Sequence, residues 1–336
     1  MRVLFAGSPG IAVPSLKAIA EGLCPAAELA GVLTNADSRK GRGGGAEPTE
    51  VGALAAVLAE EYRRRGKEFA LFKPLKLDAA FREEAAACRF DLLVSFAYGR
   101  IFGPKVLALF PLGGINIHPS LLPRYRGPSP IPAVILEEGR ETGITIQVLA
   151  AEMDSGDILA QERFPLTGRE TTASLGEIAA AKAALMLPPL LKAIAEGTVK
   201  GRPQDHARAT YCSLITREEG RIDWSLGVRK IDARIRAFTP WPLSWTDHGG
   251  QELCILEARP YERSAGPAGE RAAPGTVLGV DTQWGILVQT GDGILAVERL
   301  QYRTKKALGW KDFLNGIRDF AGSRLGRDHE ERRSAE

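Results

Sequence analysis

The sequence predicts an α/β fold: a Rossmann-like, mostly parallel sheet with helices on both faces, followed by a small C-terminal β-barrel of the OB-like kind. Three observations support this. The first two hundred residues alternate short apolar runs with helix-like segments, as in a parallel sheet covered on both sides. From about residue 200 the pattern changes to short β-like stretches, typical of a small barrel. All five tryptophans lie in this second part, where we expect them in the core.

The predicted elements follow in a regular order. Strands are expected at 3–6, 29–34, 69–72, 91–96 and 114–117, with helices at 13–21, 49–65, 79–88 and 104–109. A hairpin at 142–149 and 157–166 and a long helix at 172–196 come next, and the barrel strands are expected at 254–258, 275–280, 285–290 and 294–302. The chain is therefore divided into a catalytic domain at 1–200, a second domain at 201–320 and a disordered tail at 321–336.

Composition excludes several classes of protein. The chain is 44% hydrophobic and 25% charged, and its net charge of +3 comes from 44 Lys and Arg against 41 Asp and Glu, so charge alone implies no nucleic-acid partner. Four cysteines lie far apart, without the spacing of a zinc site, which predicts reduced thiols and no metal. No run approaches ~18 uninterrupted apolar residues and no signal peptide is evident, so we expect a cytoplasmic protein without a membrane segment.

The chemistry is expected at residues 114–131 and at the Met-Asp-Ser-Gly-Asp turn at 153–157. Asn116 and His118 stand two residues apart in a predicted strand, so both side chains point to one side of it. Asp154 follows on the turn, as a possible partner for the imidazole. Each residue alone has an ordinary structural explanation: a turn cap, a histidine at the rim and a turn aspartate.

Together, an amide, an imidazole and a carboxylate suit transfer of an acyl group to an amine. An amine is nucleophilic when neutral, so the site needs a proton acceptor and a donor to the oxyanion. His118 is a candidate for the first role and Asn116 for the second, while Asp154 orients the ring and stabilises its charged form. Once protonated, His118 is a candidate to join Asn116 in stabilising the oxyanion.

Two glycine-rich stretches follow the first two strands. Gly-Ser-Pro-Gly at 7–10 superficially suggests a dinucleotide loop, but it lacks the third glycine, and no acidic residue ends the second strand at Thr34, so no nucleotide cofactor is expected. Residues 35–48 form a long, basic, glycine-rich loop on the same side as the proposed site. Its place inside an alternating sheet pattern argues against a linker.

Several ordered blocks carry a family resemblance. They are Val-Leu-Phe-Ala-Gly-Ser-Pro from 3, Ser-Phe-Ala-Tyr-Gly from 95, the 114–131 block, the 153–157 turn, Arg-Ile-Asp-Trp-Ser from 221, Arg-Ala-Phe-Thr-Pro-Trp-Pro from 236 and Thr-Gly-Asp-Gly-Ile-Leu from 290. Over nearly its whole length the chain resembles the folate-dependent formyltransferases, and among them the methionyl-tRNA formyltransferases. The first half carries the chemistry that the wider family shares, and the second half carries the likeness to the tRNA enzymes.

The resemblance implies a reaction and its residues. The family's catalytic trio falls on Asn116, His118 and Asp154. The folate contact falls on Ser120, Leu121, Leu122 and Pro123, where two leucines would offer apolar surface to a flat pteridine. The implied formyl donor is the co-substrate 10-formyltetrahydrofolate, with no metal and no covalent enzyme intermediate. The implied acceptor is the α-amine of initiator methionyl-tRNA, and no protein partner is implied.

For the tRNA, the resemblance assigns the 35–48 loop to the acceptor end and the barrel to the backbone. Arg39, Lys40 and Arg42 are the candidate contacts. The sequence is also compatible with two other functions. An amino-sugar nucleotide could replace the tRNA as acceptor with the same chemistry, and the chain could be a folate- or RNA-binding protein without turnover, although such a protein would not need to keep all three catalytic residues.

Overall fold

The computed structural model describes residues 1–39, 45–262, 272–317 and 319–326. Contacts divide the chain into two compact units. The first unit comprises residues 1–130, 141–165 and 175–213, and the second comprises 131–140, 166–174 and the chain from 214 onward. The predicted boundary at residue 200 is therefore displaced. Residues 201–213 belong to the first unit because their backbone pairs with it, as where Arg202 exchanges two hydrogen bonds with Ile158.

The first unit is built on a seven-stranded sheet and a separate two-stranded hairpin. The strands are β1 (Arg2–Gly7), β2 (Glu28–Leu33), β3 (Ser38–Arg39), β4 (Ala46–Glu47), β5 (Ala70–Phe72), β6 (Leu92–Phe96), β7 (Gly114–His118), β8 (Glu141–Val148) and β9 (Ile158–Pro165). The helices are α1 (Val13–Ala20), α2 (Glu50–Arg64), α3 (Ala79–Ala87), α4 (Pro104–Leu107), α5 (Pro130–Leu136), which continues into the second unit, and α6 (Thr172–Ala195). All the elements predicted for residues 1–196 form, to within two residues at each end.

The sheet order is β5-β2-β1-β6-β7-β8-β9. The strands from β5 to β7 run parallel, and β8 and β9 are antiparallel additions. Every residue of β6 is buried, as expected for a parallel strand covered on both faces. Because the strand order reverses between β1 and β6, ligand binding is expected at the carboxyl ends of these strands and their neighbours. β7 ends at that edge.

Side-chain caps explain where two helices of this unit begin. The Thr49 hydroxyl accepts a hydrogen bond of 2.9 Å from the Gly52 N–H at the start of α2, and Asp78 accepts one of 3.3 Å from Phe81 at the start of α3. The long helix α6 is apolar enough to cross a membrane by length and composition alone. Seven of its residues are buried and Lys182 pairs with Glu162 at 2.5 Å, as in the core helix of a globular unit.

In its described residues, the second unit contains a six-stranded antiparallel sheet and two α-helices of its own. The elements are α7 (Val228–Ala237), β10 (Ser244–His248), β11 (Gln251–Pro260), β12 (Val277–Asp281), β13 (Gly285–Gln289), β14 (Ile294–Tyr302), β15 (Leu308–Gly309) and α8 (Trp310–Asn315). The sheet order is β10-β11-β14-β13-β12, with β15 paired to β14. The predicted fold class, a mostly parallel sheet followed by a smaller β domain, is confirmed.

Two predictions for the second unit need correction. Residues 321–326 are not a disordered tail, because Leu325 is 3% exposed and its N–H donates to the Gly275 carbonyl at 2.8 Å. The rest of the predicted tail lies outside the described residues. Among the tryptophans, only Trp224 is fully buried, and Trp241 is 58% exposed between two cis prolines. The sequence analysis also missed the short elements α5, α7, β10, β15 and α8.

Candidate active site

Strand β7 brings two of the predicted site residues together at the carboxyl edge of the sheet. Asn116 lies opposite Gln147 of β8 in the antiparallel register, and His118 lies opposite Thr145. Asn116 is half-buried, whereas His118 is only 4% exposed. The alternation of side chains along β7 therefore places the amide and the imidazole on one side, as predicted.

Asp154 completes the predicted trio. Its Oδ1 accepts hydrogen bonds from Asn116 Nδ2 at 3.3 Å and from Gln147 Nε2 at 2.9 Å. Its Oδ2 accepts one from the Gly127 backbone N–H at 2.9 Å and lies 3.6 Å from His118 Nδ1. Three donors and one ring nitrogen thus surround a carboxylate whose side chain is 11% exposed. These contacts hold the carboxylate in one orientation.

The turn after β8 fixes the position of this carboxylate. Asp154 has a φ of 53°, in the left-handed region that aspartate tolerates better than most residues. Gly156 lies so close to β8 that a Cβ atom there would overlap the Val148 carbonyl oxygen. The glycine of the Met-Asp-Ser-Gly-Asp motif is therefore needed for the close approach that brings Asp154 back to β7.

The imidazole of His118 is held from both ends. Its Nε2 lies 2.8 Å from the Tyr125 carbonyl oxygen, which can only accept a hydrogen bond, so this nitrogen carries a proton. Its Nδ1 faces the Asp154 carboxylate, which is also an acceptor. These two neighbours fix the orientation of the ring, with its Nδ1 edge toward Asp154.

The predicted folate loop follows β7 directly, but its side chains do not all face outward. Ser120 is fully buried and its hydroxyl donates to the Arg124 carbonyl at 2.7 Å. Leu122 is 3% exposed, its N–H donates to Thr145 Oγ1 at 3.2 Å, and the peptide bond to Pro123 is cis. Both side chains are buried in the protein, and the contact of the loop with a pteridine stays a prediction. Leu121 and Pro123 remain half-exposed.

A second layer that the sequence did not reveal surrounds the trio. It consists of Gln147, Gln204 and Arg126, which are 1%, 5% and 1% exposed. Gln147 had one detectable signal in the sequence, because it is a long polar side chain within the strand-like alternation of β8. Arg126 stands inside the 114–131 block but carries no distinctive spacing, and Gln204 gave no signal at all.

Cys212 is the only cysteine near this layer among the described residues. Its thiol donates to the Arg126 carbonyl at a sulfur-to-oxygen distance of 3.4 Å. Burial raises the pKa of the Cys212 thiol, and the negative charge of Asp154 adds to that rise. The thiol therefore stays neutral at physiological pH and is a poor nucleophile.

The predicted tRNA contacts can be placed only in part. Arg39 ends β3 and is exposed, with β4 as its antiparallel neighbour. Lys40 and Arg42 lie outside the described residues. Within the part of the chain that the structure describes, no cluster of His, Cys, Asp and Glu could hold a metal ion.

Family models match both parts of this chain. The model described as formyl transferase matches residues 1–190, and the model described as formyl transferase, C-terminal domain, matches residues 214–318. Together they define the class to which this fold and site belong, an enzyme that transfers a formyl group.

Curated relatives narrow the class. A methionyl-tRNA formyltransferase of Treponema denticola is 47% identical over 95% of this chain and 98% of its own length, and one of Roseiflexus castenholzii is 41% identical over 97% and 99%. The chain belongs to the methionyl-tRNA formyltransferase family.

Solved structures show the same fold at lower identity. The N-formyltransferase from Helicobacter canadensis, in complex with folinic acid and dTDP-3-aminofucose, is 18% identical with a TM-score of 0.61, covering 90% of this chain and 99% of that one. HypX from Aquifex aeolicus in complex with tetrahydrofolic acid is 19% identical with a TM-score of 0.59, covering 94% of this chain and 47% of that one. At these identities the likeness concerns the fold alone.

We predict that Gly156→Ala removes activity by displacing Asp154. The added methyl group meets the Val148 carbonyl, so the turn must shift, and unfolding by denaturant should show a loss of more than about 1 kcal/mol. Gly176→Ala is the matched control, because a Cβ there meets nothing within 4 Å and alanine is favoured over glycine in a helix. Normal turnover of the Gly156→Ala variant would show that the turn does not determine the site.

Proposed function

We propose that this protein transfers a formyl group from 10-formyltetrahydrofolate to the α-amine of initiator methionyl-tRNA, with Asn116, His118 and Asp154 as catalytic residues. One observation carries the proposal. In a chain that is 47% identical to a methionyl-tRNA formyltransferase, an amide, an imidazole and a carboxylate converge on one point at the carboxyl end of β7. These are the groups that formyl transfer to an amine requires.

The loop at 120–123 fits a flat, partly apolar formyl donor. Its backbone is held by the Ser120 hydroxyl, by Thr145, and by Gln161, whose Nε2 donates to the Leu122 carbonyl at 3.0 Å. A loop fixed in this way presents the half-exposed side chains of Leu121 and Pro123 without a large entropic cost on binding. We propose that these two side chains, together with the loop backbone, contact the pteridine.

Asn116 is placed to stabilise the oxyanion. Its Nδ2 makes one long hydrogen bond of 3.3 Å to Asp154, so its second N–H is available for the formyl oxygen. As the amine attacks, the new C–N bond forms and the carbonyl electron pair moves onto that oxygen. A donor positioned beforehand stabilises this charge more in the transition state than in the ground state.

His118 and Asp154 together manage the proton of the reaction. The Nε2 of His118 donates to the Tyr125 carbonyl, and its Nδ1 lies 3.6 Å from Asp154 Oδ2, so the two side chains act as one pair. The attacking amine loses a proton to this pair as the C–N bond forms, and while His118 holds that proton it joins Asn116 in stabilising the oxyanion. The pair then returns the proton to N10 of the folate as the bond between that nitrogen and the formyl carbon breaks.

The family indicates tRNA as the acceptor, and the charge of Arg39 supports it. We propose that Arg39 and the loop it begins contact the acceptor end of the tRNA, because Arg39 is an exposed cation beside the carboxyl edge of the sheet. Four free cysteines and a tRNA substrate support a cytoplasmic location.

A formylation assay tests the function directly. The purified protein is given 10-formyltetrahydrofolate with charged initiator methionyl-tRNA, with charged elongator methionyl-tRNA, or with an amino-sugar nucleotide. We expect formyl transfer to the initiator tRNA, weaker transfer to the elongator and none to the sugar. Preferred transfer to the sugar would overturn the proposed acceptor, and absence of transfer to all three would overturn the activity.

We predict that Asn116→Ala lowers kcat by roughly two to three orders of magnitude, because the oxyanion loses its positioned donor. Single-turnover formylation measures the effect, and thermal unfolding checks that the variant is folded. Asn315→Ala, at an exposed residue of α8, is the control and should keep full turnover. Near-normal turnover of a folded Asn116→Ala variant would reject this role.

We predict that Arg39→Ala weakens tRNA use without changing folate affinity. If Arg39 contacts a phosphate, the slope of log affinity for tRNA against log salt concentration should become shallower by about 0.7 to 0.9. Arg65→Ala is the control, since Arg65 is an exposed arginine at the far end of the 15-residue helix α2. An unchanged slope for Arg39→Ala would exclude a phosphate contact.

A further inference from the structure

Arg126 is a buried cation whose structural purpose is not obvious. It is 1% exposed, and its side-chain nitrogens contact Gln204 Oε1, at 3.2 Å from Nε and 2.7 Å from Nη2, the Tyr211 hydroxyl at 3.2 Å and His206 Nδ1 at 3.1 Å. Within the described contacts of this side chain there is no carboxylate. A buried charge without an opposite charge is a poor source of stability, which points to a role in the site nearby.

The guanidinium determines which way the Gln204 amide points. Two N–H groups of Arg126 converge on Gln204 Oε1, and because a guanidinium can only donate, this atom must be the oxygen. The amide nitrogen therefore points the opposite way. It lies within hydrogen-bond distance of three acceptors, Gln147 Oε1 at 3.1 Å, the Asp154 carbonyl at 2.9 Å and the Gly156 carbonyl at 2.7 Å.

Gln147 passes the same orientation to the catalytic carboxylate. Because its Oε1 accepts from Gln204, its Nε2 is the atom that faces Asp154 Oδ1 at 2.9 Å. If either amide were reversed, an oxygen would face an oxygen and the Asp154 carboxylate would lose a donor. An isolated amide can point either way. Here the Arg126 cation on one side and the Asp154 and Gly156 carbonyls on the other select the same direction.

We propose that Arg126, Gln204 and Gln147 form a polarised hydrogen-bond relay that holds Asp154 in its working orientation, and that Arg126 is a positioning residue for formyl transfer. The proposal rests on the function proposed above. Each step donates toward Asp154, and hydrogen bonds aligned in one direction strengthen one another. The same relay ties the turn to the sheet, since Gln204 also holds the backbone of Asp154 and Gly156.

The first test is Gln147→Met, which keeps the side-chain length and removes the donor. Losing a hydrogen bond to a charged group should lower kcat about 10- to 100-fold. The KM values for folate and tRNA should not change, because Gln147 is buried behind the site. Gln289→Met is the control: this glutamine is also buried, but its amide bonds only to backbone carbonyls of the second unit, so kcat should be unchanged.

The second test is a double-mutant cycle read by single-turnover formylation. If Gln147 acts through Asp154, the Gln147→Met factor should vanish in an Asp154→Ala background. Equal factors in the two backgrounds would overturn the relay and leave Gln147 a structural role. Arg126→Met should behave in the same way against Gln147→Met, and if that variant does not fold, the Gln147–Asp154 cycle decides alone.

Failure of the relay and failure of the proposed function give different results. If Asp154→Ala keeps the turnover of the unmodified enzyme, the assignment of Asp154 to catalysis is wrong. If Asp154→Ala loses turnover and the Gln147→Met factor is the same in both backgrounds, only the relay is wrong. The predicted outcome is a large loss for Asp154→Ala, onto which Gln147→Met adds nothing.

Discussion

The site depends on the placement of one carboxylate. Asp154 accepts hydrogen bonds from Asn116 of β7, from Gln147 of β8 and from the backbone N–H of Gly127, and its Oδ2 lies beside the imidazole. These donors restrict the carboxylate to one orientation. The close approach of Gly156 to β8 and the register of β7 against β8 serve this placement.

The proposed mechanism needs no protein nucleophile. The attacking amine supplies the electron pair, so the protein needs only to stabilise the oxyanion and to move one proton from the amine to the leaving nitrogen. A buried Cys212 with a raised pKa does not compete as a nucleophile. In many enzymes the largest single contribution to the rate enhancement comes from polar and charged groups that the fold holds at fixed positions.

Much of this could be predicted from the sequence, for local reasons. A period of two places Asn116 and His118 on one side of a strand, and short apolar runs identify all five parallel strands. The relay could not be predicted, because Arg126 and Gln204 are 78 residues apart and only the fold brings them together. The N–H of Leu122 donates to Thr145 Oγ1 of β8 and fixes the loop there, a contact that cannot be recognised in a sequence motif.

The division of the chain was missed for a related reason. Residues 131–140 and 166–174 belong by sequence to the first domain, but their contacts place them in the second unit. Continuous segments are the natural reading of a linear pattern, whereas compact units need not be continuous. Likewise, α7 combines an exposed basic face with buried Ile231 and Ile235, and its charge concealed its period.

The central claim is that Asp154 holds the imidazole of His118 and the amide of Asn116 in their working positions. Nitrogen-15 NMR of the folded protein tests this directly, since the chain has four histidines and a His118→Gln variant assigns the His118 signals. We predict that Asp154→Ala shifts the Nδ1 signal of His118, because that nitrogen loses the carboxylate beside it, whereas Nε2 keeps its contact with the Tyr125 carbonyl. A Nδ1 signal that is the same in Asp154→Ala and in the unmodified enzyme would contradict the account.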